Sequence, residues 1–552
     1  MRHKGPGIGK ELYDFLKDSL AQINPRDNFK GIFSNWKKDV MAGVTVAFIA
    51  LPLALAFGVG SGLGAMSGLW GAIAGGLIGS LFGGSRIGVS GPTGPKMAQL
   101  AVIMLGYQLA SGTPDITYAF TIIFLSGVIL AALSFLKIGR LIYYTPYSVI
   151  AGFMCGIGVL VIILELDPLL GLPNAKNVSE VIKGLPYALS HFKPHSLELS
   201  LGTLALLFAY PKISEKIKFL KAIPSTLAAL VIGSLFANVI GLQVDYIGEI
   251  PIGLPELHMP SFGKYTFSEY FFPALSLAGL AIFDSLLTCL VNDNMSGDKH
   301  NSDRELFGQG LANMTAGLIG GLTTATATMR SVALYKSGGR TVLASFVHGL
   351  VLLAIAVFLG PIAGMIPLPC LAAILFKVGI DIIDYRVLPI AHRLPISDLI
   401  VFLTVLIVTV VEDLLIAMGI GMALACFRFV QEITKVYKYE LSKNVNSKQL
   451  VTSEGRVTFS PRGPLFFGSV QKINEVLNSV DDKKTIYIDL SEVVFIDLSG
   501  AFALDDAVES FRARGIEVEV FSPNQEINKV LENLNLYKKW QEDLEAKVLL
   551  VA

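Results

Sequence analysis

Charge is scarce in this chain: 16% of its 552 residues are Asp, Glu, Lys or Arg, against 53% hydrophobic residues and a mean hydropathy of +0.60. So little charge excludes an ordinary water-soluble globular protein and leaves a polytopic membrane protein. An excess of one sign is also missing, since Lys+Arg and Asp+Glu are equal at 44 each; the total gives no reason to invoke nucleic acid or an acidic partner. Cysteine is rare, and Cys155, Cys289, Cys370 and Cys426 stand singly in apolar segments. That excludes a disulfide framework or thiolate metal site and leaves four small hydrophobes. The seven histidines include no pair at ligand spacing. A short charged leader before a cleavable apolar core is absent as well. The first 38 residues are polar and basic, with Lys4, Lys10, Lys17, Arg26, Lys30, Lys37 and Lys38, and read as a retained cytoplasmic segment.

What is present is a series of apolar runs, many near the ~20 residues that cross ~30 Å of hydrocarbon. They fall at 40–60, 66–82, 94–110, 117–135, 146–165, 197–210, 224–242, 269–293, 308–321, 328–336, 341–360, 368–380, 397–412 and 414–432. The reading is an α-helical polytopic membrane protein with 14 transmembrane segments. Its parts are a cytoplasmic segment (1–38), a transmembrane transport domain (39–437), a linker (438–452) and a soluble domain (453–552). Alternate loops should then be basic. The predicted inside loops carry Arg86, Lys137, Arg140, Lys212, Lys216, Lys218, Lys221, Lys299, Arg304, Lys336, Arg340, Arg386 and Arg393; the predicted outside loop 243–268 has Lys264 against Asp245, Glu249 and Glu256. Both termini are therefore expected in the cytoplasm, and the chain in the inner (cell) membrane.

Two segments are interrupted in the same way. The third follows "RIGVSGPTGP" and the tenth follows "GGLTTATATM"; each is third in its half of seven, which points to a 7+7 inverted repeat with the binding site at the repeat interface. Non-helical backbone at membrane depth must be buried in protein or line a cavity. Two half-helices that begin there aim free N–H groups and about half a positive charge each at one point, an anion site made of backbone. Pro95 suits a first helical turn, and Thr93, Thr326 and Thr328 can cap or donate hydroxyls.

Three charges fall at this depth: Lys96, Asp284 and Arg330. Intramembrane charge costs about 2.5–3.5 kcal/mol per group, so each needs a partner or a task. Asp284 with Arg330 can be a structural salt bridge. Alternatively, Arg330 and Lys96 add positive charge to the anion site, while Asp284 balances them and binds a coupling cation with Thr288, one turn further along the same face. Two cations and one carboxylate favour an anionic substrate. Glu165, Asp167, Glu412 and Asp413, near segment ends, read as interfacial.

The runs "DVMAGVTVAFIALPLALAFGVGSG", "SGPTGP", "TPYSVIAGFMCGIG", "DSLLTCLVNDNMSGDKHNSDREL", "GQGLAN", "ATMRS" and "SGGRT" together resemble the sulfate permease (SulP) family of inorganic anion transporters. The soluble end, through "RGPLFFGS" and "IDLSGAFALDDAVESFRARG", resembles its C-terminal STAS domain. The resemblance runs from about Lys38 to the C-terminus. It implies core and gate domains in a lipid-embedded homodimer that works by elevator-type alternating access. Within the family the N-terminal half is most similar to the bicarbonate branch. That likeness implies a sodium-site region at Asp284, Thr288, Thr326 and Thr328, and an anion site at Thr93, Gly94, Ala327 and Thr328. The chain departs from that branch at Arg330, where the wider family has an anion-pairing arginine, and at Lys96, which replaces an apolar residue. An arginine beside Asp284 competes with sodium, so the coupling ion is sodium, a proton, or none. The expected substrate is bicarbonate first, with sulfate or a dicarboxylate close behind.

Read alone, 453–552 is a small α/β domain. Its strands are "RVTFSPRGPLFF", "TIYIDLSEVVFI" and "IEVEVFSP", and its helices "SVQKINEVLNSV", "LSGAFALDDAVESFRARG" and "NQEINKVLENLNL". Asp489 and Asp497 follow strands, and Ser499 reads as a helix N-cap. It also matches the serine that is phosphorylated in bacterial anti-sigma-factor antagonists, a candidate regulatory site. No nucleophile–base pair or metal cluster appears, so the chain is not expected to be an enzyme or to carry a cofactor. An anion channel, an uncoupled exchanger and a nucleobase–proton symporter are the alternatives.

Overall fold

Where the sequence is a run of Leu, Ile, Val and Ala, the backbone has no hydrogen-bond partner but itself, and each of the fourteen apolar runs coincides with a helix. The computed structural model describes residues 17, 19–108, 114–140, 145–173, 178–214, 216, 223–248, 253–358, 364–385, 387–412, 414–445, 450–453, 456–466, 485–536 and 539–540. Residues 1–16, Lys218, Lys221, Arg386, Asp413 and the predicted helix 469–480 lie outside them. By contacts the chain forms two units, Met1–Met422 and Ala423–Ala552.

In the first half the helices are α1 (Trp36–Gly60), α2 (Ala65–Phe82), α3 (Gly94–Gly106), α4 (Ile116–Phe135), α5 (Tyr147–Leu164), α6 (Val178–His191), α7 (Pro194–Ser214) and α8 (Ser225–Ile240). The second half has α9 (Phe267–Ser296), α10 (Ser302–Leu318), α11 (Thr328–Lys336), α12 (Val342–Phe358), α13 (Leu368–Ile382), α14 (Ile396–Val411) and α15 (Leu414–Val445). Helices α1, α2, α4, α5 and α9, and Ile416–Lys435 within α15, are long and apolar enough to cross a membrane, and α8, α12 and α14 are shorter apolar helices. Helix α6 was not expected. Ser179, Glu180, Lys183 and Pro186 break its apolar residues, so it shows no continuous apolar run; it buries Val181 and Ala188 and leaves Ile182, Tyr187 and Leu189 exposed.

Packing sorts the helices into two groups. In one, α4 lies on α9 and α10, and α12 lies on α1 and α2; in the other, α5 packs on α13 and α14, and α7 on α8 and α13. Small residues allow the closest approaches. A Cβ at Gly127 of α4 would stand 2.5 Å from the Gly310 carbonyl of α10, so these helices touch backbone to backbone.

The C-terminal unit contains a four-stranded sheet in the order β3-β4-β6-β8. Strand β3 (Leu450–Ser453) runs antiparallel to β4 (Arg456–Phe459), and β6 (Thr485–Asp489) is parallel to both β4 and β8 (Glu517–Phe521). A parallel pair, β5 (Gly463–Leu465) with β7 (Val493–Ile496), forms a separate two-stranded sheet. Two of the predicted strands are thus each split in two. β3 was missed because it lies in the stretch read as linker, whose first part is the end of α15. Helices α16 (Leu498–Ala513) and α17 (Gln525–Asn533) cover a core that includes Phe459, Ile486, Ile488, Leu504 and Phe511. The cap of α16 is a correction. Asp497, not Ser499, accepts from the Gly500 N–H at 2.7 Å, and Ser499 is an exposed residue of the first turn.

Candidate anion-binding site

The two interrupted stretches meet. β1 (Ser90–Gly91) pairs antiparallel with β2 (Ala325–Thr326), Ser90 opposite Thr326 and Gly91 opposite Ala325. The pairing satisfies backbone groups that would otherwise be lost in an apolar interior, and it places the starts of α3 and α11 side by side. Helix α2 forms the floor beneath. A Cβ on Gly71 would lie 2.5 Å from the Leu322 carbonyl, and one on Gly75 would lie 2.7 Å from the Gly91 nitrogen. These two glycines, one helical turn apart, let both extended strands press onto the helix. Gly75 also opens a π-helical turn, Gly75–Gly79, a feature that often marks functional sites.

Helix α3 begins at Gly94 with Pro95 in its first turn, and its first intrahelical bond runs from Met97 N–H to the Thr93 carbonyl. Helix α11 begins at Thr328, with the corresponding bond from Ser331 N–H to the Ala327 carbonyl. The N–H groups ahead of those bonds have no helical acceptor and carry the positive ends of both helices. Thr93 is buried, whereas Thr328 and Met329 are exposed, so the start of α11 is the accessible side.

The charged residues do not pair as one salt bridge. Arg330, 2% exposed, donates from Nη2 to the Pro92 carbonyl at 2.5 Å. Asp284, half-buried on α9, accepts from the Thr93 hydroxyl at 2.5 Å. No ion pair within 4 Å joins Asp284 to Arg330 among the described residues, so that structural reading gives way to one in which each group holds the lead of α3. A side chain on Gly91 would collide with Arg330 Nη1, so only glycine lets the guanidinium lie along this strand. Lys96, fully buried, turns its ammonium to the Thr324 carbonyl at 2.6 Å and to Asn313 Oδ1 at 3.3 Å.

The four residues read as a cation site separate into two sets. Thr288 and Thr328 share a hydrogen bond of 2.7 Å beside Asp284. The Thr326 hydroxyl instead donates to Glu305, accepts from Gln309 at 2.8 Å and lies 3.3 Å from the Ser90 hydroxyl. Glu305 also accepts from the Gly84 and Ser85 N–H groups at 2.7 and 3.1 Å. Sequence reasoning passed over Glu305, Gln309 and Asn313. Their signal was a polar residue at every fourth position of α10, one ridge facing β2. Glu165 and Asp167, read as interfacial, are buried at the end of α5, and Glu165 lines a cavity of about 330 Å³ with Lys193 and Asp245.

Residues 36–405 match the sulfate permease family and residues 447–548 the STAS domain. The chain is 36% identical over 526 residues to the bicarbonate transporter BicA of Picosynechococcus sp., covering 92% of each. It is 29% identical over 529 residues to the putative sulfate transporter YvdB of Bacillus subtilis, covering 93% of this chain and 96% of that one. It superposes on the solved transmembrane domain of a cyanobacterium bicarbonate transporter BicA with a TM-score of 0.63 at 38% identity, over 71% of this chain and 98% of that one. These relatives are transporters, in line with the expectation that the chain is not an enzyme. It belongs to the sulfate permease family: a helical membrane transporter that ends in a STAS domain.

Proposed function

We propose that this chain is a secondary transporter of a small anion, bicarbonate first and sulfate or a dicarboxylate next. The observation that carries the reading is the β1–β2 pair. It brings two helix N-termini to one place, with Arg330 beside them, where backbone N–H groups and a fixed cation can replace the hydration shell of an anion. Thr93, Gly94, Ala327, Thr328 and Arg330 form the site, and Lys96 holds it together from behind. Asp284, with Thr288 and Thr328 beside it, is where sodium or a proton would couple to transport; Thr326, bound to Glu305, supports the strand.

The packing supports a 7+7 inverted repeat. Counting α6 as an insertion, exchanging the two sets of seven turns the contacts of α4 with α9 and α10 into those of α12 with α1 and α2. The two helix groups suit a core that carries the site and a gate that it slides against, in a homodimer with both termini cytoplasmic. Ser499, exposed on α16, is the place for regulatory phosphorylation, which a phosphate-sensitive mobility shift lost in Ser499→Ala would reveal.

Uptake of labelled bicarbonate, sulfate, chloride and fumarate into proteoliposomes, each with and without sodium at two pH values, tests the reading. Saturable bicarbonate uptake supports it. A preference for sulfate or fumarate moves the substrate to a divalent anion, and no uptake of any of the four by folded protein overturns it.

A further inference from the structure

We propose that the Lys96 ammonium is a resident cation standing in for a co-transported one, so that the chain carries a monovalent anion without sodium. The inference rests on the anion-carrier reading above and narrows it. Lys96 is 0% exposed, and among the described residues its ammonium donates to two oxygens, the Thr324 main-chain carbonyl at 2.6 Å and Asn313 Oδ1 at 3.3 Å. Exposed carbonyls of unwound backbone are the ligands that hold sodium in carriers with broken helices. The cradle is built for the purpose. Asn313 Oδ1 also accepts from the Thr323 hydroxyl at 2.7 Å and the Thr324 N–H at 2.8 Å, and Asn313 Nδ2 donates to the Thr324 carbonyl at 2.9 Å. A tethered ammonium therefore joins α3 to the strand that leads into α11, the two parts that must move as one body with the anion.

The oxygens around Asp284 are meanwhile committed to one another. Thr93 donates to Asp284, Thr288 and Thr328 share a proton, and Thr326 is bound to Glu305. Charge points the same way. Lys96 and Arg330 both feel the field of Asp284, yet neither has a carboxylate within 4 Å among the described residues. The other buried carboxylate of this network, Glu305, is held by two backbone N–H groups, Gln309 and Thr326, and the cation that feels its charge is Arg304 rather than Lys96 or Arg330. His348, buried near Arg330, brings no negative charge. Two buried cations against one carboxylate leave a surplus of one positive charge, which is unfavourable until an anion arrives. A monoanion cancels it and a dianion overshoots. The loaded site is then neutral and the empty site positive, so the empty return step moves charge.

The test is uptake of labelled bicarbonate into proteoliposomes, with sodium or N-methylglucamine outside and with or without an inside-positive potential. Wild type is expected to take up bicarbonate equally in both cations, within about twofold, and at least about threefold faster under the potential. Lys96→Gln keeps a donor on a side chain one atom shorter but removes the charge; its sodium-free uptake is expected to fall at least about tenfold, while Lys96→Arg stays sodium-independent. Thermal melting gives a readout independent of flux: sodium should stabilise Lys96→Ala, whose emptied cradle can bind it, and leave wild type unchanged. A wild type that needs sodium, or Lys96→Gln transporting like wild type without it, overturns the proposal. If folded wild type moves no bicarbonate in either cation, the substrate reading falls, and the melting pair alone supports or overturns the resident cation.

Discussion

Arg330 combines two tasks that a neutral side chain cannot perform: it fixes the Pro92 carbonyl and leaves positive charge at the start of α11. A hydrogen bond from a charged group to a bound anion is worth about 1.5–3 kcal/mol, roughly 10–150-fold in affinity. Arg330→Ala should lose that much anion affinity by isothermal titration while keeping the helical content of wild type; unchanged affinity in the purified variant would sink the electrostatic part of the site. Glu305 calls for a different measurement because it touches no anion. Truncating it leaves the Gly84 and Ser85 N–H groups and Thr326 buried without an acceptor. Glu305→Ala is therefore expected to lose about 1–3 kcal/mol for each donor left unpaired, read as a lower melting temperature. A melt equal to wild type would show that the network does not support β2.

At the scale of elements, the floor under β1 depends on a missing side chain. A Cβ at Gly75 would meet the backbone of Ser90 and Gly91 at 2.7 Å, and main chain cannot swing aside as a side chain can. Gly75→Val should cost about 1–3 kcal/mol of stability and, by displacing β1, reduce transport far more than Gly184→Val, where a Cβ meets nothing within 4 Å. Equal transport in the two variants would refute the idea that α2 sets the strand. At the start of α4, outside the helix, Asp115 caps Tyr118 N–H and binds Lys264 at 2.5 Å and the Tyr265 hydroxyl at 3.0 Å. Burial pushes its carboxyl up, but Lys264, the Tyr118 N–H and Tyr265 together hold it below the ordinary value of 3.8. A lowered folded value means that the stabilisation is fully present above pH 3.8 and is lost as pH falls through the folded value. Asp115→Asn should thus melt lower than wild type at neutral pH, and the gap should close in acid; a gap independent of pH would mean that the carboxylate charge contributes nothing.

At the scale of the whole molecule, a carrier and a channel share the same cationic site but differ in kinetics, because a carrier must return. Proteoliposomes preloaded with unlabelled bicarbonate should take up labelled bicarbonate faster than empty ones; no trans-stimulation would favour the channel reading. The membrane class, the fourteen apolar helices and the motifs of the family were legible in order along the chain, because a bilayer imposes length and hydropathy on each segment separately; α6, broken by polar residues, was not. The two interrupted stretches were legible as well, since Gly, Pro and Thr at membrane depth violate that local rule. The sequence by itself thus determined which residues break the membrane pattern and which chemistry they carry. Their pairing was a tertiary decision: Arg330 on Pro92 rather than on Asp284, Thr326 on Glu305, and Lys96 in the Asn313–Thr324 cradle. The physical reason is that a hydroxyl, carboxylate or ammonium can satisfy itself on many partners. Its choice depends on backbone carbonyls and N–H groups whose positions exist only once α2, α9 and α10 have packed around the β1–β2 pair.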